Sequence, residues 1–277
     1  MANAIPNPRT PSAGVRESVM SIPHFRKLWN AMAFSSFGDW LGLLATTALA
    51  QQLAGGDYAT ANFAIAGVFI ARLLPSVFLG PLAGVLADRF DRRKLMVVCD
   101  ILRTGLYISI PIFHNYFWLY TATILVECVT LFWSPAKEAS VPNLVPRNKL
   151  ESANQVSLLA AYGTAPIAAI IFSILALFSN AFNALLPSFA TNAVDIALYI
   201  NAASFAFAAY TVWRLHEIPK IKDSKKDSEV GVGKSLWQGW KAVSGSKIIR
   251  GLIVGMVGAF VAAGAVIGLA RTFVGDL

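Results

Sequence analysis

Gly84-Val85-Leu86-Ala87-Asp88-Arg89-Phe90-Asp91-Arg92-Arg93-Lys94 is a burst of charge set between two long apolar stretches. From Asn62 to Ala87 the only charged residue is Arg72, and from Leu95 to Phe113 only Asp100 and Arg103 are charged. Both stretches approach or exceed the length that crosses the ~30 Å hydrocarbon core of a bilayer. A short, strongly basic turn between two such segments reads as a helical hairpin whose loop faces the cytoplasm.

Composition agrees with that reading. Hydrophobic residues make up 56% of the 277-residue chain and charged residues 14%, with a mean hydropathy of +0.58. These values exclude an ordinary soluble domain. The net charge of +8 raises nucleic acid as a partner, and its distribution argues against one. Twenty of the 23 basic residues fall in alternate loops, and the intervening loops around Asp57, His114 and Asn183 hold none. Such alternation is the positive-inside pattern and places the N-terminus in the cytoplasm. The first 30 residues lack an apolar stretch followed by a small-residue cleavage site, so no removable signal peptide is expected. Cys99 and Cys128 lie inside apolar segments and read as helix residues, not a disulfide or metal pair.

The hydropathy pattern predicts seven spans, at 29–53, 62–87, 95–113, 117–135, 154–178, 190–213 and 250–270. Breaks fall at Gly55-Gly56-Asp57, at the basic turn, at His114-Asn115, at Pro142 and Pro146, and at Pro187. The predicted organisation is a cytoplasmic segment 1–28, a six-helix bundle 29–213, a basic cytoplasmic linker 214–249, and a seventh transmembrane helix 250–277. Within the linker, Leu236, Trp237, Trp240 and Val243 share one helical face flanked by lysines, the pattern of a helix lying at the headgroup boundary. The fold class is therefore all-α, a polytopic membrane helix bundle.

The basic turn resembles the signature loop of the major facilitator superfamily, Gly-x-x-x-Asp-Arg-x-Gly-x-Arg-Arg/Lys, with Gly84, Asp88, Arg89, Arg93 and Lys94 in register. Asp91 stands where that pattern has its second glycine. Three further features resemble the branch of enterobactin-exporter-like and macrolide-efflux-like proteins: Gly38-Asp39 in the first span, Arg72 and Pro75 in the second, and the run Pro135-Ala136-Lys137-Glu138-Ala139-Ser140-Val141-Pro142-Asn143-Leu144-Val145-Pro146 after the fourth. The prolines of that run are expected to end the fourth helix and fix an extended turn. The fifth span carries Gly163-Thr164-Ala165-Pro166, small residues that permit close packing and a kink. The fourth span has Glu127 and no arginine, unlike proton-coupled drug antiporters of the superfamily.

The resemblance implies one six-helix half of a transporter, its linker and the first helix of a second half, so a truncated or split gene is expected. It also implies that Asp88 acts as a cytoplasmic gate, capping helices of the second half.

Ionisable residues inside a span are expensive and mark function by default. At a rise of 1.5 Å per residue, Asp39, Arg103 and Glu127 are expected roughly 12–15 Å from the cytoplasmic ends of their spans, and Arg72 and Asp195 roughly 22–27 Å. Arg103 and Glu127, on adjacent antiparallel spans at one depth, read as a neutralising pair that is either structural or part of the substrate path. Asp39, beside Ser35, Ser36 and Trp40, reads as a pathway residue, and Asp100 as a counter-charge to the basic turn. Asp195 reads as a cap for Asn192 and Asn201. Substrate-pathway or coupling candidates are thus Asp39, Arg72, Arg103 and Glu127, and the gate candidates are Gly84, Asp88, Arg89, Arg93 and Lys94.

The sequence-based expectation is outward transport of a small drug- or siderophore-like molecule across the cell (inner) membrane, by rocking two halves around a midplane site. The alternative is a membrane component that does not transport until a separate C-terminal half is supplied. No nucleotide-binding glycine loop occurs, so no cofactor is expected. His24, His114 and His216 lie near span ends without a nucleophile or metal-ligand constellation, so no enzyme is expected. Expected partners are the lipid bilayer, a small-molecule substrate and a C-terminal half, with no nucleic acid.

Overall fold

A computed structural model describes residues 18–87, 90–178 and 192–216, residue 241 and a few positions between 245 and 262. The chain divides into two compact units, Met1–Lys222 and Asp223–Leu277. Among the described residues of the first, seven α-helices follow one another: α1 (Pro23–Leu53), α2 (Tyr58–Ala87), α3 (Arg92–Phe113), α4 (Tyr116–Leu144), α5 (Leu150–Gly163), α6 (Ala165–Leu177) and α7 (Ala193–Trp213). Single 3₁₀ turns at Val19–Ser21 and Arg147–Lys149 precede α1 and α5. In the second unit, residues 247–252 are helical. The predicted interfacial helix, apart from Lys241, and most of the predicted seventh span lie outside the described residues, as do Asp88 and Arg89.

Among the described residues, five segments are long and apolar enough to cross a membrane: Tyr58–Gly80, Arg92–Phe113, Tyr116–Leu144, Arg147–Leu177 and Ala193–Trp213. The chain is an all-α, multi-pass membrane protein. α1 is absent from that set, its most apolar stretch being diluted by Ser35, Ser36, Asp39, Trp40, Thr46 and Thr47. It packs against α2, α4, α5, α6 and α7. A helix so enclosed by protein needs less apolar surface than one that faces lipid.

Local chemistry explains the helix ends. Asp57 accepts the Thr60 backbone N–H at 2.7 Å, and the Thr60 hydroxyl and N–H hold its carboxyl below the ordinary carboxylate range. Asp91 caps α3 by accepting the Lys94 N–H at 3.1 Å. The residue that departs from the superfamily pattern therefore satisfies one of the four orphan donors at a helix start. Asn115 and Asn192 cap α4 and α7 in the same way.

The fourth span differs from expectation. α4 runs through Pro135 and Pro142 to Leu144, nine residues beyond the predicted end at 135. Near Pro142 the Ala139 carbonyl accepts Arg92 Nη1 at 3.0 Å and Asn143 Nδ2 at 2.9 Å. The predicted extended turn shrinks to Val145-Pro146.

The fifth span is two helices broken at Thr164. Pro166 brings no N–H to the ladder, and the last carbonyls of α5 find side-chain donors instead. Thr164 Oγ1 donates to Ala160 O at 3.0 Å and Trp40 Nε1 to Ala161 O at 2.8 Å. Trp29 Nε1 likewise donates to Val156 O at 2.9 Å. Two tryptophans of α1 thereby tie it to the kinked α5.

Small residues set the closest approaches. A Cβ at Gly38 would collide with the Ser204 hydroxyl of α7, and one at Gly42 would strike the Asn201 amide and the Tyr107 ring. At Gly67 a Cβ would meet the Tyr120 ring, whose hydroxyl donates to Ala64 O at 3.1 Å. Membrane helices gain contact by bringing backbones together at such positions.

Candidate functional site

Two apolar cores fill the bundle. One gathers Leu41, Leu49, Val68, Leu119, Val126 and Leu198, the other Phe25, Leu28, Met32, Met96, Val141 and Val212. On α1, α3 and α4 the intramembrane charges fall between the two, at Asp39, at Asp100 and Arg103, and at Glu127.

Arg103 is fully buried. Its Nη2 pairs with Asp100 Oδ1, one helical turn earlier on α3. Asp100 also accepts Trp133 Nε1 at 3.2 Å. The guanidinium lies against two rings, with Cζ 4.3 Å from the Phe205 centroid and 4.9 Å from that of Trp133. A planar cation between aromatic faces gains cation–π energy of about 2 kcal/mol or more where desolvated. Trp133 thus serves twice, holding the carboxylate by its N–H and the cation by its face.

Arg72 Nε lies 3.0 Å from Glu127 Oε1 and links α2 to α4. Both side chains are slightly open, at 17% and 19% exposure. Asp39 is less tightly held. Its Oδ2 stands 4.0 Å from Arg103 Nη1, beyond hydrogen-bond reach, and the side chain is 34% exposed. Arg103 Nε and Nη1 make no hydrogen bond. Asp39 also feels the positive charges of Arg72 and Lys137. Lys137 itself rests over the Trp133 ring at 5.6 Å. Lys137 has its own ion-pair partner in Glu138 at 3.9 Å, so the layer sets three carboxylates (Asp39, Asp100, Glu127) against two cations (Arg72, Arg103).

The four pathway candidates do come together, with different partners from those expected. The predicted Arg103–Glu127 pair does not form, because Glu127 takes Arg72 and Arg103 takes Asp100. The cause is the longer α4. Counted from Leu144, Glu127 lies about 26 Å from its helix end, level with Arg72 at about 22 Å, whereas Arg103 lies about 16 Å from Arg92. The expected grouping of Glu127 with Arg103, below Arg72, is thereby corrected: Glu127 meets Arg72. Asp100 is not a counter-charge for the basic turn but the buried partner of Arg103. Its i,i+3 spacing from Arg103 was the signal in the sequence for that pairing. Nothing in the sequence singled out Phe205, 102 residues beyond Arg103 in the chain.

Asp195 has its backbone N–H accepted by Asn192 Oδ1 at 3.0 Å, and its carboxylate lies 4.0 Å from His114 Nδ1. Of the signature-loop residues, Gly84 lies in the last turn of α2 and Arg93 and Lys94 in the first turn of α3.

A family model for transmembrane secretion effectors matches residues 17–274. The chain belongs to that family. It is a member of the major facilitator superfamily, and its relatives are MFS-type transporters. Over 187 residues this family member is 29% identical to the uncharacterised MFS-type transporter YfiS of Bacillus subtilis, a match covering 67% of this chain and 40% of YfiS. An uncharacterised MFS-type transporter of Mycobacterium tuberculosis is 31% identical over 148 residues, or 52% of this chain and 33% of that protein. Macrolide efflux protein A of Enterococcus faecalis is 34% identical over 82 residues, covering 28% of this chain and 25% of that protein. The chain spans well under half the length of the curated relatives it matches.

Proposed function

We propose that the α1–α7 bundle is one half of an exporter of small amphipathic molecules, working by alternating access in the cell (inner) membrane with its N-terminus in the cytoplasm. The observation that carries this is the partial exposure of Asp39, Arg72 and Glu127 on α1, α2 and α4, at a level flanked by apolar core on both sides. Charges at that depth are costly against lipid. Their open side therefore fronts a water-filled path or a second bundle. Asp39, 4.0 Å from Arg103, is the carboxylate freest to change partner during a cycle, with the cations Arg103 and Arg72 near it.

Alternating access needs two bundles moving about a site between them. The proposal accordingly requires a second bundle, on the same polypeptide or on a separate one. In this reading Gly84, Asp88, Arg89, Arg93 and Lys94 form the gate against that second bundle. Resemblance to the macrolide efflux protein supports drug-like cargo.

The test is uptake into proteoliposomes of a panel of amphipathic drugs, macrolides included. The 277-residue chain alone should give no saturable flux, and the chain with a matching C-terminal bundle should give it. Asp39→Asn should then cut flux at least tenfold without lowering abundance. Saturable flux by the chain alone would overturn the need for a second bundle, and full activity of Asp39→Asn would remove Asp39 from the path.

A further inference from the structure

An open groove of about 530 Å³ runs between α3 and α7. Its floor and walls are Val97, Ile101 and Thr104 from α3 and Ala206, Ala209, Tyr210 and Trp213 from α7. The α3 residues recur at i, i+4 and i+7 and the α7 residues at i, i+3, i+4 and i+7, so each helix gives one continuous stripe. Ala206 and Ala209 leave room where larger side chains would close the gap. Ile101 and Trp213 are more than half exposed. The charge layer does not open here, since Arg103 is fully buried.

The two ends of the groove differ in charge. At one end Tyr210 and Trp213 stand together, ring centroids 6.4 Å apart. The Arg214 guanidinium lies over the Tyr210 ring at 4.6 Å. Arg93 and Lys94 precede Val97 by four and three residues, so they continue the α3 stripe to the same end. Tryptophan and tyrosine with flanking cations mark the level of lipid headgroups. At the other end α3 finishes in Ile110, Ile112 and Phe113, and α7 begins at Ala193 and Val194; neither stripe brings a cation there.

We infer that this groove is a binding site for an anionic phospholipid, its acyl chain along Val97, Ile101, Ala206 and Ala209 and its phosphate among Arg93, Lys94 and Arg214. The apolar stripe recognises a chain of methylenes. Three cations at one end recognise a net negative headgroup over a zwitterionic one, and Trp213 stands at that end beside Tyr210. Basic recesses between membrane helices near the surface select acidic headgroups in this way.

The test is quenching of Trp213 by bromine in the chain of a lipid. The 277-residue protein is reconstituted in phosphatidylcholine vesicles doped with brominated phosphatidylglycerol or brominated phosphatidylcholine. Because the chain has 7 tryptophans, the Trp213 signal is taken as the difference from Trp213→Phe. Brominated phosphatidylglycerol should quench that signal at a several-fold lower mole fraction than brominated phosphatidylcholine. Arg214→Gln should weaken the preference roughly fivefold, the share of one cation near the surface. Ala206→Phe, which fills the groove, should abolish close quenching while far-ultraviolet circular dichroism reports unchanged helix content. Equal quenching by the two lipids would overturn the inference. So would a preference that survives both substitutions.

Discussion

Arg72 of α2 and Glu127 of α4 meet at 3.0 Å, Nε to Oε1, while Arg103 of α3 pairs with Asp100 of its own helix. The charge layer is therefore two separate devices. One is an inter-helix pair slightly open to the outside, and the other is a sealed cluster braced by Trp133 and Phe205. Asp39 stands beside the second at 4.0 Å.

This division predicts selective coupling. Arg72→Leu should lower membrane abundance by leaving Glu127 without its partner, and adding Glu127→Leu should recover part of the loss. A double-mutant cycle on unfolding free energy should return about 1–3 kcal/mol for Arg72 with Glu127, and close to zero for Arg103 with Glu127. The reverse pattern would mean that the α4 register is wrong.

Arg103→Leu should be the most damaging change in the layer. It strands Asp100 in the core, and breaking one side of a buried pair costs about 3–5 kcal/mol. Arg103→Lys should rescue little, since an ammonium cannot stack flat between two rings and bond Asp100 at once. The measurement is the midpoint of thermal unfolding in detergent, followed by tryptophan fluorescence.

Close packing of α1 on α7 predicts a sharp difference between glycines. Gly38→Leu should destabilise by at least the ~1–3 kcal/mol typical of overpacking, because its Cβ collides with Ser204. Gly80→Leu should be nearly silent, as nothing lies within 4 Å of a Cβ there. The monodisperse fraction after solubilisation should separate the two.

The kink in the fifth span is held by Trp40. Replacing it with phenylalanine removes the N–H that serves Ala161 O, at a cost of about 0.5–1.5 kcal/mol. Amide hydrogen exchange across residues 160–170 should rise, and exchange in α4 should not. Unchanged exchange at the break would show that α5 and α6 hold their angle without α1.

Topology can be tested by single-cysteine labelling. Gly56→Cys in the α1–α2 turn should react with an impermeant maleimide outside the cell, and Asn148→Cys before α5 only after permeabilisation. Ser140, within the proline-rich run, is a poor probe, being fully buried with its hydroxyl on Ala136 O at 2.7 Å. External labelling at Asn148 would invert the assignment.

Much of this protein was determined by its sequence alone. Apolar runs of membrane length separated by alternating basic and neutral turns can fold only as a helix bundle across a bilayer, since every backbone polar group there must be bonded within its own segment. Which residues are charged inside those runs is equally plain from the letters, and so is the kink at Gly163-Thr164-Ala165-Pro166. Which charge meets which was decided only by the tertiary structure. Pairing depends on depth and rotation, depth depends on where each helix ends, and α4 runs on through Pro135 and Pro142 to Leu144. Nine extra residues shift Glu127 by about 13 Å along its axis, from the level of Arg103 to that of Arg72. The two rings that enclose Arg103 come from α4 and α7, distant in the chain, and only packing brings them to it.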